Sequence, residues 1–181
     1  GVHHIYWMAG SFKDFYDVHL DGWRSNPELL LQVDQIPSPL IYAVHNENKK
    51  KLIAYANSQS SKALDPEVLT IGFARRAATY KRAHLIFHDM EKLLDIGQGN
   101  LQIIFSGKAH PKDMGGKNII RNIVQSAKRF DGKIKIIYLE NYDMWLGRLI
   151  TSGVDLWLNT PQRPVSYTNL RAHDTQFDLV C

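Results

Sequence analysis

From Leu69 onward the apolar and polar positions change period in a regular way. Leu69, Ile71 and Phe73 alternate with smaller residues, which predicts a strand over 69–74, and Gly72 leaves room there for a close neighbour. Ile86, Met90 and Leu93 then share one helical face, predicting a helix over 81–94 that ends at the turn Gly97-Gln98-Gly99-Asn100. LQIIFS predicts a second strand over 101–106. A second helix follows from about Asp113 to Phe130, with Ile119, Ile120, Ile123, Val124 and Ala127 opposite Lys117, Arg121 and Lys128. Asp131-Gly132 stops it. A strand over 134–139, a helix over 143–151 and a strand over 154–158 complete the series. Strand and helix in strict alternation imply a parallel sheet with right-handed crossovers. The strands are nearly continuous apolar runs, as expected when helices cover both faces. The fold class read here is therefore α/β, a Rossmann-like parallel sheet.

The first 66 residues follow a different pattern and are expected to form a leading helical segment, with 67–164 as the partial Rossmann-like domain. Trp7, Phe12, Phe15, Tyr16 and Trp23 suggest short elements packing against a larger body. Asn26-Pro27-Glu28 combines a capping residue, a first-turn proline and an acidic first-turn residue, opening a short helix through Leu29, Leu30 and Val33. Ser38-Pro39 starts a longer helix to about Asn57. It is expected to present Ile41, Val44, Leu52 and Tyr55 on one face and to leave Lys49, Lys50 and Lys51 as a solvated face. Ser58 to Pro66 reads as a polar connecting loop.

Composition narrows the class without deciding it. At 181 residues, 44% apolar and 22% charged, the chain suits a globular domain with a real core. A formal net charge of +4 permits a polyanion partner without demanding one. The single Cys181 rules out an internal disulfide framework and a cysteine-based metal cluster. No apolar run reaches membrane-spanning length, so a cytoplasmic location is the default and no membrane partner is expected. The chain opens Gly1-Val2-His3 without an initiator methionine, which suggests a piece of something longer.

The candidate chemistry gathers where the strands end. Arg75, Arg76, Lys81 and Arg82 fall within eight residues, directly after the first strand. A strand feeding a helix through a basic turn puts cations at the carboxyl edge of the sheet, where open α/β sheets bind ligands. If the helix began near Lys81, its positive dipole end would add to these charges and favour a bound anion; a start nearer Ala77 relaxes that conflict. The plainer alternative is that long basic side chains splay into water. The other strand ends favour the anion site: Gly107-Lys108-Ala109-His110 adds a cation and a glycine, and Glu140-Asn141-Tyr142-Asp143 and Asn159-Thr160-Pro161-Gln162-Arg163 add polar loops. No dinucleotide or phosphate-loop motif is present. His84 and His88 have a spacing that can share a metal, but with no acidic residue beside His84 they read as a solvated stripe, and no metal site is assigned. Trp145 and Trp157 read as core and packing residues, because aromatic and basic residues do not interleave.

The stretches GFARRAATYKRA, IIFSGKAHPKDMGGKNIIRNI and IIYLENYDMWLGRLITSGVDLWLNTPQRP closely resemble the α-glucan (glycogen, starch or maltodextrin) phosphorylases of the shorter bacterial and archaeal type. The likeness covers Gly1 to Pro164, with three motifs in order. It implies the first part of the C-terminal domain of a two-Rossmann-domain glycosyltransferase (GT-B). The implied reaction is reversible transfer of a terminal α-1,4 glucosyl unit to inorganic phosphate, giving glucose 1-phosphate. The resemblance also implies pyridoxal phosphate, used through its phosphate group. By motif position Arg76 and Lys81 look like ligands of the substrate phosphate, and Arg75 and Tyr142 look like neighbours of the cofactor phosphate. Two adjacent anions need concentrated cations, in keeping with the basic turn.

After Pro164 the family continues with a sugar-binding glutamate and a run whose lysine carries the cofactor, whereas this chain reads VSYTNLRAHDTQFDLVC. Residues 165–181 are therefore expected to be a non-native tail, and the chain alone is expected to be inactive. Two other functions compete: a nucleotide-sugar glucan synthase of similar architecture, disfavoured by motif spacing, and a non-catalytic nucleic-acid-binding module, disfavoured because the cations collect at strand ends instead of forming a stripe. The sequence does not indicate an oligomeric state.

Overall fold

A computed structural model describes residues 8–160; the opening heptapeptide, the end of the last loop and the tail at 165–181 lie outside the described residues. Helix α1 (Gly10–His19), a 3₁₀ helix (Pro27–Gln35) and the long α2 (Ser38–Gln59) precede the alternating region. There β1 (Leu69–Ala74), β2 (Leu101–Ser106), β3 (Lys135–Leu139) and β4 (Leu156–Trp157) are linked through α3 (Met90–Gly97), α4 (Met114–Arg129) and α5 (Met144–Gly153). The four strands form one parallel sheet in the order β3-β2-β1-β4. β1 and β2 pair from Leu69↔Leu101 to Ala74↔Ser106. This is the α/β, Rossmann-like arrangement that the alternating pattern predicts.

Strand alternation distributes the apolar side chains between two cores. Ile71, Phe73, Ile103, Phe105 and Ile136 join Phe87, Ile119, Ile123, Ala127 and Phe130 on one side. Ala74, Ile104, Ile137 and Leu139 join Leu52, Ile53, Ala56, Leu146, Ile150 and Val154 on the other. Every residue of β2 is buried, as a central strand requires. Gly72 is needed for contact: a Cβ there would lie 2.7 Å from Val154 Cγ1, inside van der Waals distance. β4 is shorter than the span expected from its apolar run, because Val154 caps α5 by donating its amide to Ile150 O. The ladder nevertheless extends on both sides, with Asp155 N donating to Thr70 O at 2.9 Å and Leu158 N to Gly72 O at 2.8 Å.

The leading aromatics build a third core of their own. Met8, Phe12, Tyr16, Leu20, Trp23 and Ile36 are buried together, with Ile41 and Val44 of α2 packed against them. Asn26 caps the following helix as predicted, its side chain accepting from Glu28 N, but that helix is 3₁₀ instead of α.

Three expectations need correction. The helix expected over 81–94 is two 3₁₀ turns, Thr79–Lys81 and Ala83–Phe87, followed by α3. Arg82 adopts the left-handed region (φ 47°, ψ 43°), which ends the first turn, and the Asp89 carboxylate accepts from Lys92 N at 2.9 Å, which starts α3 afresh. The lysine triplet of α2 is not wholly solvated either. Lys50 and Lys51 are exposed, but Lys49 is only 5% exposed. Its position places it with Asn48, Leu52, Ile53 and Ala56 on the buried stripe. Third, Trp145, expected as core as well as packing, does pack, edge-on against Tyr55 with ring centroids 5.0 Å apart, but it is 51% exposed and so not core.

Buried Lys49 has a partner. Its Nζ donates to Asp155 Oδ2 at 2.6 Å, His45 Nε2 donates to Asp155 Oδ1 at 2.9 Å, and the Thr70 amide donates to Oδ2 at 2.7 Å. Burial pushes the Asp155 carboxyl up, but the hydrogen bonds from His45, Lys49 and the Thr70 amide, with the Lys49 charge, outweigh it and hold the carboxyl below its ordinary range. This junction ties α2 to the starts of β1 and β4.

Candidate functional site

The four connections leaving the carboxyl ends of the strands are joined by specific hydrogen bonds. Arg75 directly follows β1; its amide continues the ladder to Ser106 O, and its Nη1 donates to Asn159 Oδ1 beyond β4 at 2.6 Å. Ala77 N donates to Lys108 O at 3.0 Å, which draws the loop after β2 beneath the basic turn. Gly107 permits this closeness: a Cβ at that position would stand 2.2 Å from Arg75 O. Tyr142, beyond β3, reaches Ala74 O with its hydroxyl at 3.4 Å. Tyr138 on β3 donates to Gly107 O at 2.9 Å.

The basic turn itself is held from β4. Thr160 Oγ1 shares its single proton between Lys81 O (3.0 Å) and Arg82 O (3.1 Å), and Arg82 Nε donates back to Thr160 O at 2.9 Å. A left-handed arginine costs about 1 kcal/mol or more, and such residues persist where their surroundings over-determine them. The reciprocal bonds with Thr160 do this for Arg82. Because the turn is 3₁₀, the long helix dipole expected near Lys81 does not exist. The amides of Arg75, Ala77, Lys81 and Arg82 are also already engaged with carbonyls. Any anion held here is held chiefly by side chains.

Those side chains are available to different degrees. Arg76 is exposed, and among the described residues it has no hydrogen-bond or ion-pair partner. Lys81 is half-buried, with Nζ 4.7 Å from the centre of the Tyr80 ring, a contact that leaves its charge intact. Arg75 is half-buried and bound to a neutral amide. Lys108 is exposed at the same edge. Among the described residues no carboxylate is paired with Arg75, Arg76 or Lys81. Burial, with Asp143 beside it, raises the Tyr142 phenol, which keeps it a neutral donor. Burial, with Glu140 nearby, pushes Tyr138 up to about 12.

Of the residues singled out from sequence, the structure brings Arg75 and Tyr142 to the same strand end and holds the Lys81 backbone beside them through Thr160. Arg76 has no hydrogen-bond or ion-pair partner among the described residues. His84 and His88 lie elsewhere, in an open groove against α4 lined also by Asn122, Gln125, Ser126 and Arg129. Sequence reasoning placed Asn159 and Thr160 on a polar loop at this edge but did not assign their contacts. It missed His45, Lys49 and Asp155 altogether, although Lys49 stands three residues before the apolar Leu52 and so on its stripe.

Comparison with known proteins puts this geometry in a family context. Residues 22–161 match the family model described as carbohydrate phosphorylase. The chain is 36% identical to a maltodextrin phosphorylase of Thermococcus litoralis over 91% of its own length and 22% of that protein's. It is 34% identical to a glycogen phosphorylase of Aquifex aeolicus, covering 91% of the chain and 27% of the relative. Against a glycogen phosphorylase of Mycobacterium tuberculosis the identity is 48%, over 57% of the chain and 12% of the relative. The chain thus spans about a quarter of the length of the first two relatives.

Proposed function

Since the chain belongs to the carbohydrate phosphorylase family, we propose that it forms part of an α-1,4-glucan phosphorylase of GT-B architecture. The intact enzyme transfers a terminal glucosyl unit of glycogen, starch or maltodextrin to inorganic phosphate and releases glucose 1-phosphate, in the cytoplasm. Residues 1–66 are its leading helical segment and 67–164 the side that handles phosphate. The observation that carries this reading is that Arg75, Arg76 and Lys81 gather at the carboxyl edge of the sheet with no carboxylate paired to them among the described residues, and that all four strand-end loops are tied together there. Arg76 and Lys81 bind the substrate phosphate. Arg76 is free to turn both guanidinium edges to phosphate oxygens, and Lys81 adds a compact charge.

Arg75 and the neutral Tyr142 hydroxyl, both at the end of β1, form a donor set of the right charge and polarity for a second phosphate, that of pyridoxal phosphate. They would hold that group beside the first. When bound, the cofactor supplies a phosphate able to exchange a proton with the substrate phosphate. The protein residues keep both anions close by offsetting their mutual repulsion.

Phosphate titration of the 181-residue chain by NMR, at low and moderate salt, tests the assignment. Arg76→Ala is expected to weaken binding well beyond Arg121→Ala, which removes equal charge from an exposed site on α4 where Arg121 donates to Asn118. Equal losses would mean that diffuse net charge is being sensed, and the assignment of Arg76 would fall.

A further inference from the structure

We infer that Asn159 and Thr160, just beyond β4, are positioning residues for the phosphate turn, so that the site is assembled from two segments 78 residues apart; the inference rests on reading residues 75–82 as that site. Four cations within eight residues repel one another, and without restraint their side chains would disperse into water. The structure restrains Arg75 without neutralising it. Asn159 Oδ1 accepts from a single Arg75 nitrogen at 2.6 Å, which fixes the guanidinium plane and leaves its remaining N–H groups and its full charge for a ligand. A carboxylate at position 159 would orient Arg75 equally well but would also occupy it, competing with the anion. The neutral amide therefore marks this contact as serving a bound anion more than folding stability.

Thr160 acts on the backbone in a complementary way. Its hydroxyl shares its proton between the carbonyl oxygens of Lys81 and Arg82. The Lys81 oxygen ends the first 3₁₀ turn and would otherwise present a negative dipole end beside the anion site, while the Arg82 oxygen, which also accepts from Leu85 N at 2.9 Å, opens the next turn. The return bond from Arg82 Nε to Thr160 O closes the clamp around a left-handed residue. Holding Arg82 in that conformation ends the turn at Lys81 instead of letting it continue into a regular helix, and ties the Lys81 backbone to the segment whose Asn159 holds Arg75.

The test uses the 181-residue chain with nitrogen-labelled arginine, the Arg75 resonance being assigned by its loss in Arg75→Lys. Hindered rotation of the Arg75 guanidinium is expected in the parent and in Asn159→Asp, and free rotation in Asn159→Ala. With inorganic phosphate as the probe, Asn159→Asp should abolish the shift of the Arg75 resonance and weaken binding overall although Arg75 stays ordered, a result that loss of structure alone cannot give. Thr160→Val should weaken phosphate binding about fivefold, the equivalent of one ordinary hydrogen bond, and Thr160→Ser should restore it. Unchanged Arg75 rotation in Asn159→Ala, parent-like phosphate binding by Asn159→Asp, or equal affinities for Thr160→Val and the parent would overturn the inference. If the parent itself shows no phosphate response, the proposed function loses its phosphate site, and the Arg75 resonance alone then decides whether Asn159 positions the guanidinium.

Discussion

Replacing Asp155 by alanine removes the carboxylate that His45, Lys49 and Thr70 share at the junction of α2, β1 and β4. Three donors lose their acceptor at once: Lys49 Nζ at 2.6 Å, the Thr70 amide at 2.7 Å and His45 Nε2 at 2.9 Å. The Lys49 side chain is 6% exposed, so its charge cannot rehydrate without moving α2. Breaking a fully buried ion pair from one side costs about 3–5 kcal/mol, and because the Asp155 side chain is 19% exposed the lower end applies, about 3 kcal/mol. Asp155→Asn should cost less, about 1–1.5 kcal/mol, because an amide oxygen can still accept from Lys49 and Thr70. The decisive variant is the double substitution Lys49→Met/Asp155→Ala. Methionine follows the path of the lysine stem and carries no charge, so the orphaned ammonium disappears with the carboxylate. The pair together should cost about 1.5–2 kcal/mol, less than Asp155→Ala alone, although two residues have changed. Urea unfolding at neutral pH, followed by tryptophan fluorescence for the parent, both single variants and the double, measures all four corners. A loss below about 1 kcal/mol for Asp155→Ala, or additive losses in the double variant, would refute the view that an uncompensated buried charge is what costs stability here.

The same carboxylate sets an acid limit. Its folded pKa lies below the ordinary 3.8, so its contribution is present above that value and is lost as pH falls through the lower folded pKa. The urea midpoint of the parent should therefore drop toward that of Asp155→Asn in this acidic window; parallel curves would contradict the linkage. At the alkaline end, Tyr138 should ionise near 12, and the stability its neutral hydroxyl confers should be complete below pH 10 and lost as pH rises from there through about 12. Phenolate absorbance should show a late phase that Tyr138→Phe abolishes, and a Tyr138 that titrated with the exposed tyrosines would count against the burial argument. Gly107→Ala places a methyl 2.2 Å from Arg75 O and should cost about 3 kcal/mol by forcing the two loops apart, while also weakening phosphate binding; an unchanged unfolding midpoint would show that the loops yield freely.

The alternating pattern from Leu69 onward was sufficient to determine the four strands, their parallel class and the edge at which cations collect. Each of these follows from a local periodicity: period two in Ile71 and Phe73 or Ile103 and Phe105, helical spacing in Ile119, Ile123 and Ala127. Cap chemistry was local too, which is why Asn26, Asp113 and Asp143 begin helices where side chains of their type should. Tertiary structure decided what depended on distant partners. Lys49 looks like one of three solvated lysines until Asp155, 106 residues later, provides an anion that makes its burial tolerable. The stretch after Tyr80 has a helical face in its sequence, yet it breaks at Arg82, where bonds to and from Thr160 hold the arginine left-handed. Local spacing registers only the preferences of neighbouring residues. A buried charge or a strained turn is settled by whichever side chain the fold brings within about 3 Å, the reach of a hydrogen bond.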